Sequence, residues 1–250
     1  MVVSRSRFEP ISADIHTCLA AAVSCARASH ALQSSQMTQD PSGSAESQLN
    51  DIPELQERAV VLVKPDGVVR GLVGKIIARF EDAGLKLVGL KLVKISRDFA
   101  NRHQPESQDW IKGLGQNTLN TYKEHGRDPA KELGTDDALE IGKKVANWNI
   151  DFLTSGPIVA MAWEGHSAIK QVRKLVGHTL PIFAVPGTIR GDFSKDSPAL
   201  ANAMKRSVRN VVHASGNKEE AEHELALWFG PEELYAYERT DWTGMFGRIK

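Results

Sequence analysis

The sequence predicts an α+β sandwich: a four-stranded antiparallel sheet packed against helices. Two observations carry this. Four short apolar runs, Arg58–Val63, Leu85–Ile95, Ile158–Trp163 and Val208–His213, read as strands. Helical segments alternate with them in the order βα-β-α-β-α-β-α, which suggests a ferredoxin-like arrangement.

The elements follow in chain order. Residues 1–52 are rich in Ala, Ser and Gln, and Gln33–Asn50 has almost nothing to bury. A disordered extension is expected there, with a short helix over Cys18–Ala31. Arg5 and Arg7 give it a basic start, but Leu19–Val23 is short for a secretory core, and Glu9 and Asp14 interrupt. A dispensable tail is the favoured reading, with targeting or interaction as alternatives.

A folded domain is expected over residues 53–250. The β-branched run Arg58–Val63 is followed at once by the turn Lys64-Pro65-Asp66-Gly67. Leu72, Val73, Ile76, Ile77, Phe80 and Ala83 recur at helical spacing, with Gly84 as the stop. Leu85–Ile95 alternates loosely, as a strand does. Helical pieces are expected around Trp110–Tyr122 and Ala138–Leu153. The stretch 105–149 carries too many apolar side chains for a solvated loop, so a small helical subdomain is expected. After Ile158–Trp163, a helix should run from Ser167 to Val176 and end at Gly177. Pro181–Phe193 reads as a long loop. The last helix, Lys218–Phe229, enters through Asn217 with Glu220 three residues on, an N-cap arrangement.

Charge and composition exclude several classes. The 31 Lys and Arg balance 31 Asp and Glu, so an electrostatic nucleic-acid binder gains no support. No apolar run approaches the ~20 residues that span a bilayer. Cys18 and Cys25 are the only cysteines, so the rest of the chain holds no disulfide and no Cys-based zinc site. Nothing calls for an oxidising compartment, and a cytoplasmic location is expected.

Gly71-Leu72-Val73-Gly74-Lys75 has the wrong glycine spacing for a Walker loop, and no Ser or Thr follows the lysine. What remains is a set of cations in unusual places. Lys64 leaves a buried strand, Arg173 lies on the helix before Gly177 with Thr179 just beyond, and Arg190 sits in Pro186–Asp192 between glycines. Together they suit a polyphosphate, since Arg offers bidentate geometry and Lys a point charge. His213 ends the fourth strand beside small residues. Eleven residues on, Glu224 flanks the apolar stripe Ala221, Leu225, Trp228, where a carboxylate needs a partner. His213 is the obvious one. A carboxylate on one ring nitrogen fixes the tautomer and leaves the other free to attack. A helix-edge ion pair with a structural histidine is the alternative that these residues alone leave open.

Taken together, six segments resemble the nucleoside diphosphate kinase family. They are Val63–Val68, Arg70–Gly74, Thr154–Pro157 leading to Met161 and Glu164-Gly165, Pro186–Phe193, Arg209–Ser215, and Leu227–Phe229 with Pro231–Leu234. They fall in family order over roughly Glu57–Tyr237. The resemblance implies a ferredoxin-like fold in a hexamer or tetramer. It implies transfer of the γ-phosphoryl of a nucleoside triphosphate to a nucleoside diphosphate, with Mg²⁺, through a phosphohistidine. It places His213 at the phosphorylated position and Lys64, Arg173, Thr179 and Arg190 on the phosphates. It places Asn210 on the sugar hydroxyl, and Ser215 and Glu224 at the pair that orients the ring.

The sequence departs from the family at several points, with insertions expected at about 105–149 and 196–206, the first forming a helical subdomain over the nucleotide entrance. Gln104 stands where a tyrosine commonly follows the histidine matching His103, and Gly216 where an aspartate is common. Ser207 replaces an apolar residue under the base, and Phe152 is the candidate for the displaced base-stacking phenylalanine.

Overall fold

A computed structural model describes residues 56–246, so the expected disordered extension lies outside the described residues. The sheet has four strands in the order β2-β3-β1-β4, every neighbouring pair antiparallel. β1 (Gln56–Val63) is central, and Ala59 to Val63 are all fully buried. The strand's period of two divides them between two cores. Ala59, Val61 and Val63 face a cluster with Ile76, Phe80, Val172 and Val176. Val60 and Leu62 face a second cluster with Ala100, Ile150, Leu153 and Trp228. Helices therefore cover both faces, and β1 reads in sequence as an unbroken apolar run.

Lys64 ends β1 in an extended conformation, and Pro65 opens the short helix α1 (Pro65–Val69), where its missing N–H costs nothing. α2 (Val73–Glu81) buries Ile76 and Phe80, and Gly84, at φ +84°, takes the left-handed turn into β2 (Lys86–Val93). Side-chain caps start the next helices: Ser96 for α3 (Arg97–His103), Ser107 for α4 (Gln108–Glu124), Asp128 for α5 (Pro129–Leu133) and Asp137 for α6 (Ala138–Thr154). β3 (Ile158–His166) and α7 (Ala168–Val176) match their expected positions.

The helical pieces expected within residues 105–149 are present. α4 and α6 cross at two glycines: a Cβ on Gly115 would stand 1.7 Å from the Ala138 carbonyl oxygen, and one on Gly142 1.9 Å from that of Ile111. Tyr122, Leu133 and Ile141 form a third core beside this crossing.

Two expectations need correction. Pro181–Phe193 is not a plain loop: it holds a 3₁₀ turn (Pro181–Phe183) and a helical turn, α8 (Ile189–Phe193), capped by the Thr188 side chain. α9 (Pro198–Ala203) follows. The fourth strand is also shorter than expected, with β4 covering Val212–Ala214 only. Val208–Asn210 stays out of the ladder, because Val211 turns the chain at φ +67°. α10 (Lys218–Trp228) then packs across the sheet, followed by a 3₁₀ turn (Pro231–Glu233).

The sequence gives no sign of the C-terminal strap, which runs beside the start of β2 and ends in α11 (Trp242–Phe246). Tyr235 N–H donates to Val88 O at 2.8 Å, Lys86 Nζ to Tyr237 O at 2.9 Å, and Arg239 Nη1 to Leu85 O at 2.6 Å. Lys86 is 1% exposed and its ammonium lies 2.7 Å from Glu164, which also accepts from Arg58. Among the described residues, no helix is long and apolar enough to cross a membrane.

Candidate active site

The site is built around a strained turn. Val211 is a β-branched residue in the left-handed region, and Val212 N–H donates back to Asn210 O at 2.7 Å, closing a three-residue turn. The Lys64–Gly67 turn holds it there. Val211 N–H donates to Asp66 Oδ2 at 3.1 Å, and Lys64 N–H donates to Val211 O at 2.8 Å. Gly67 is required at this seat, because a Cβ would stand 2.7 Å from Val63 Cγ1 and 3.0 Å from Val211 Cγ1. The chain leaves the turn straight into β4, where His213 pairs with Leu62 of β1.

His213 is half-buried, and its Nε2 lies 2.6 Å from Glu224 Oε1. The carboxylate accepts, so the imidazole proton sits on Nε2 and Nδ1 carries the lone pair. Ser215 Oγ donates to the other carboxylate oxygen at 2.6 Å and accepts from Val60 N–H at 3.0 Å. Ser215 is fully buried and Glu224 4% exposed. Burial alone would raise the Glu224 carboxyl. The charge and hydrogen bond of His213, then His103 and Ser215, outweigh it and hold the group below its ordinary value. The sequence-predicted trio of His213, Ser215 and Glu224 is thus brought together as one bonded unit.

The predicted cations gather around it without touching the ring. Arg190 is buried and held by two backbone carbonyls, Gly177 O at 2.8 Å and Val212 O at 2.9 Å, while its Nε has no partner. Burial lowers its pKa to about 10, helped by the charge of Arg173, which stands exposed on α7. Lys64 is depressed to about 7, chiefly by burial, with Asp66 opposing and Arg190 and Arg209 adding to the fall. Asn210 Nδ2 donates to Thr179 O at 2.8 Å, leaving Asn210 Oδ1 buried and unpartnered. Thr179 contributes this backbone oxygen, and its own side chain is exposed. Unmade bonds on fixed buried groups are open to a ligand, an ion or a water.

One neighbour, Arg209, was not singled out from sequence. Arg209 stacks on Phe152 with Cζ 4.0 Å from the ring centroid, and Lys64 Nζ lies 5.0 Å from the same ring. Phe152 is therefore a buried platform for two cations in this structure, not an open surface for a base. The adjacency of Arg209 to Asn210 and His213 is the signal that would have found it. Ser207, where an apolar side chain was expected, donates to Asn149 Oδ1 at 2.6 Å. Gln104 reaches Ala146 O at 3.4 Å, and Gly216 N–H donates to Glu220 Oε2 at 2.8 Å. His103 stands edge-on to His213, with ring centroids 4.7 Å apart.

Comparison with known proteins agrees with this geometry. The family model described as nucleoside diphosphate kinase matches residues 57–111 and 138–234, leaving 112–137 of the helical subdomain unmatched. A nucleoside diphosphate kinase from Pyrobaculum aerophilum is 50% identical over 178 residues, which are 71% of this chain and 97% of that protein. The crystal structure of an NDP kinase from Pyrobaculum aerophilum superposes with a TM-score of 0.71 at 48% identity, covering 72% of this chain and all of the other. A Borrelia burgdorferi nucleoside-diphosphate kinase, solved as a transition-state mimic with vanadate and ADP, gives a TM-score of 0.62 at 34% identity, covering 76% of this chain and 97% of the other. With the family model and a near full-length relative in agreement over the segments that build the site, the chain belongs to the nucleoside diphosphate kinase family of phosphotransferases.

Proposed function

We propose that this chain equilibrates nucleoside di- and triphosphates by a ping-pong mechanism through a phosphohistidine at His213. The observation that carries the reading is the 2.6 Å bond from His213 Nε2 to Glu224, which leaves Nδ1 as the attacking atom. In the first half-reaction the Nδ1 lone pair attacks the γ-phosphorus. The N–P bond forms, the bond from phosphorus to the β,γ-bridging oxygen breaks, and the nucleoside diphosphate leaves with that electron pair. The ring becomes a phosphoryl-imidazolium, and the Glu224 carboxylate beside Nε2–H offsets the positive charge. In the second half-reaction a β-phosphate oxygen of another nucleoside diphosphate attacks the phosphorus. The N–P electrons return to Nδ1, and the starting tautomer is restored without any proton leaving Nε2.

The remaining roles follow from bonds left open. Arg190 offers its Nε–H and spare Nη hydrogens to phosphate from a fixed guanidinium, beside Lys64 and Arg173. Asn210 Oδ1 is the acceptor for a sugar hydroxyl. Thr179 lines the same edge through its exposed side chain. The side chains offered to the phosphates are cationic, with the Asp66 carboxylate near Lys64. This suits Mg²⁺ that arrives with the nucleotide, bound by phosphate oxygens and water. A cytoplasmic homo-oligomer, hexamer or tetramer, is part of the same reading. Leu90 and Leu92, 53% and 64% exposed on edge strand β2, support the association. Initial rates with two nucleotides test the mechanism: parallel double-reciprocal plots are expected, and intersecting plots would reject a phosphoenzyme.

A further inference from the structure

His103 closes α3 and is 8% exposed, though nothing in the reaction as written uses it. Its ring meets two others edge-on: His213 at 4.7 Å and 82°, and Trp228 at 5.5 Å and 87°. The Trp228 indole N–H donates to His103 Nδ1 at 3.3 Å. That bond places the lone pair on Nδ1 and the imidazole proton on Nε2. A second proton would have to enter at Nδ1, against an N–H already aimed there.

The need for such a group follows from His213. One hydrogen bond to Glu224 fixes one atom of the ring and leaves it free to swivel about that bond, since the imidazole torsion is broad. Swivelling carries Nδ1 off the line of attack. Ser215 and Glu224 restrain only the carboxylate end. We infer that His103 is a positioning residue: its ring, held by Trp228, is the edge-on wall that sets how His213 is turned about its bond to Glu224. This rests on the reading of His213 as the nucleophile.

The wall also has to stay neutral, because a cation there would compete with His213 for Glu224, whose Oε1 lies 3.8 Å from His103 Nδ1. The groups that face His103 are His213 on β4, Glu224 and His223 on α10, and Lys64 before α1. Burial lowers its pKa to about 3, His213, His223 and Lys64 add to the fall, and Glu224 opposes it. The ring therefore carries no charge through the neutral range.

The test is single-turnover phosphorylation of the full chain by labelled ATP, read by rapid quench, for wild type, His103→Gln, His103→Phe and His213→Asn. Gln keeps an acceptor for Trp228 and loses the ring. It should slow phosphorylation by about tenfold or more with the half-saturating ATP concentration unchanged, as misplacement of a reacting group does. Phe restores a flat wall and should stay within about threefold of wild type, with the same pH profile. A wild-type rate in His103→Gln would overturn the proposal. So would a Phe variant as slow as the Gln variant, or one with a displaced pH profile. His213→Asn separates the two claims. Its silence upholds the nucleophile whatever the His103 variants do, whereas labelling of it removes that reading and this proposal together.

Discussion

His213 Nε2 and Glu224 Oε1 lie 2.6 Å apart, joining the middle of β4 to the middle of α10. The contact fixes which imidazole nitrogen holds the proton, and therefore which one faces a substrate. Position comes from elsewhere: the strained turn at Val211, seated on Lys64–Gly67, sets where β4 starts.

Glu224→Gln keeps the size and an acceptor but removes the charge that stabilises the phosphoryl-imidazolium. Phosphorylation by ATP should slow by ~10–10³-fold, in line with orienting members of catalytic triads and oxyanion holes. Full activity in a rapid-quench assay would make Glu224 a structural helix-edge carboxylate.

Nucleotide binding should take up protons. Lys64 has a free-enzyme pKa of about 7, and a polyphosphate beside it favours the ammonium. On the alkaline side of that value, binding should draw up to about one proton per site, and affinity should fall as pH rises. Titration calorimetry in two buffers of different ionisation enthalpy measures the uptake. Heats independent of buffer would show that Lys64 is already charged.

Lys86 and Glu164 lie at the other end of the sheet and bear on stability alone. Burial would raise the Glu164 carboxyl, but Lys86 and Arg58 outweigh it and hold it below its ordinary value. A depressed carboxylate stabilises the fold above its unfolded pKa, and that contribution is lost as pH falls through the folded value. Glu164→Leu removes this carboxylate from the buried Lys86, which the strap still contacts, and should cost more than about 1 kcal/mol in urea unfolding. Loss of less than about 1 kcal/mol would mean that the strap's carbonyls suffice for Lys86.

Gly142→Ala should destabilise the chain although alanine is the better helix former by about 1 kcal/mol. Its Cβ would meet the Ile111 carbonyl at 1.9 Å, and backbone cannot step aside as a side chain does. A melting temperature lowered by several degrees is expected; a raised one would mean that α4 and α6 separate freely.

Much of this was legible in sequence because it is written in local patterns. β1, α2, β3 and α7 each carry a period of two or of 3.6 or an unbroken apolar run, and caps or glycines mark their ends. The His213–Glu224 pairing was legible because a carboxylate beside an apolar stripe must find a partner. Val208–Val212 misled for an equally physical reason: β-branched spacing says strand, and only the contacts of Val211 with Asp66 and Lys64 bend it out of the ladder. Lys86 reads as a surface residue until the strap from Tyr235 to Trp242 covers it, a contact about 150 residues away along the chain. Arg209 and the bond between His103 and Trp228 escaped for the same reason, since the partners lie far off in sequence.

The central claim is that His213 carries the phosphoryl group. Incubating wild-type protein and His213→Asn with γ-labelled ATP, then splitting each sample between acid and alkali, tests it most directly. The account predicts label on the wild type that survives alkali and is lost in acid, with none on the variant. Label on His213→Asn at the wild-type rate, or acid-stable label on the wild type, would contradict it.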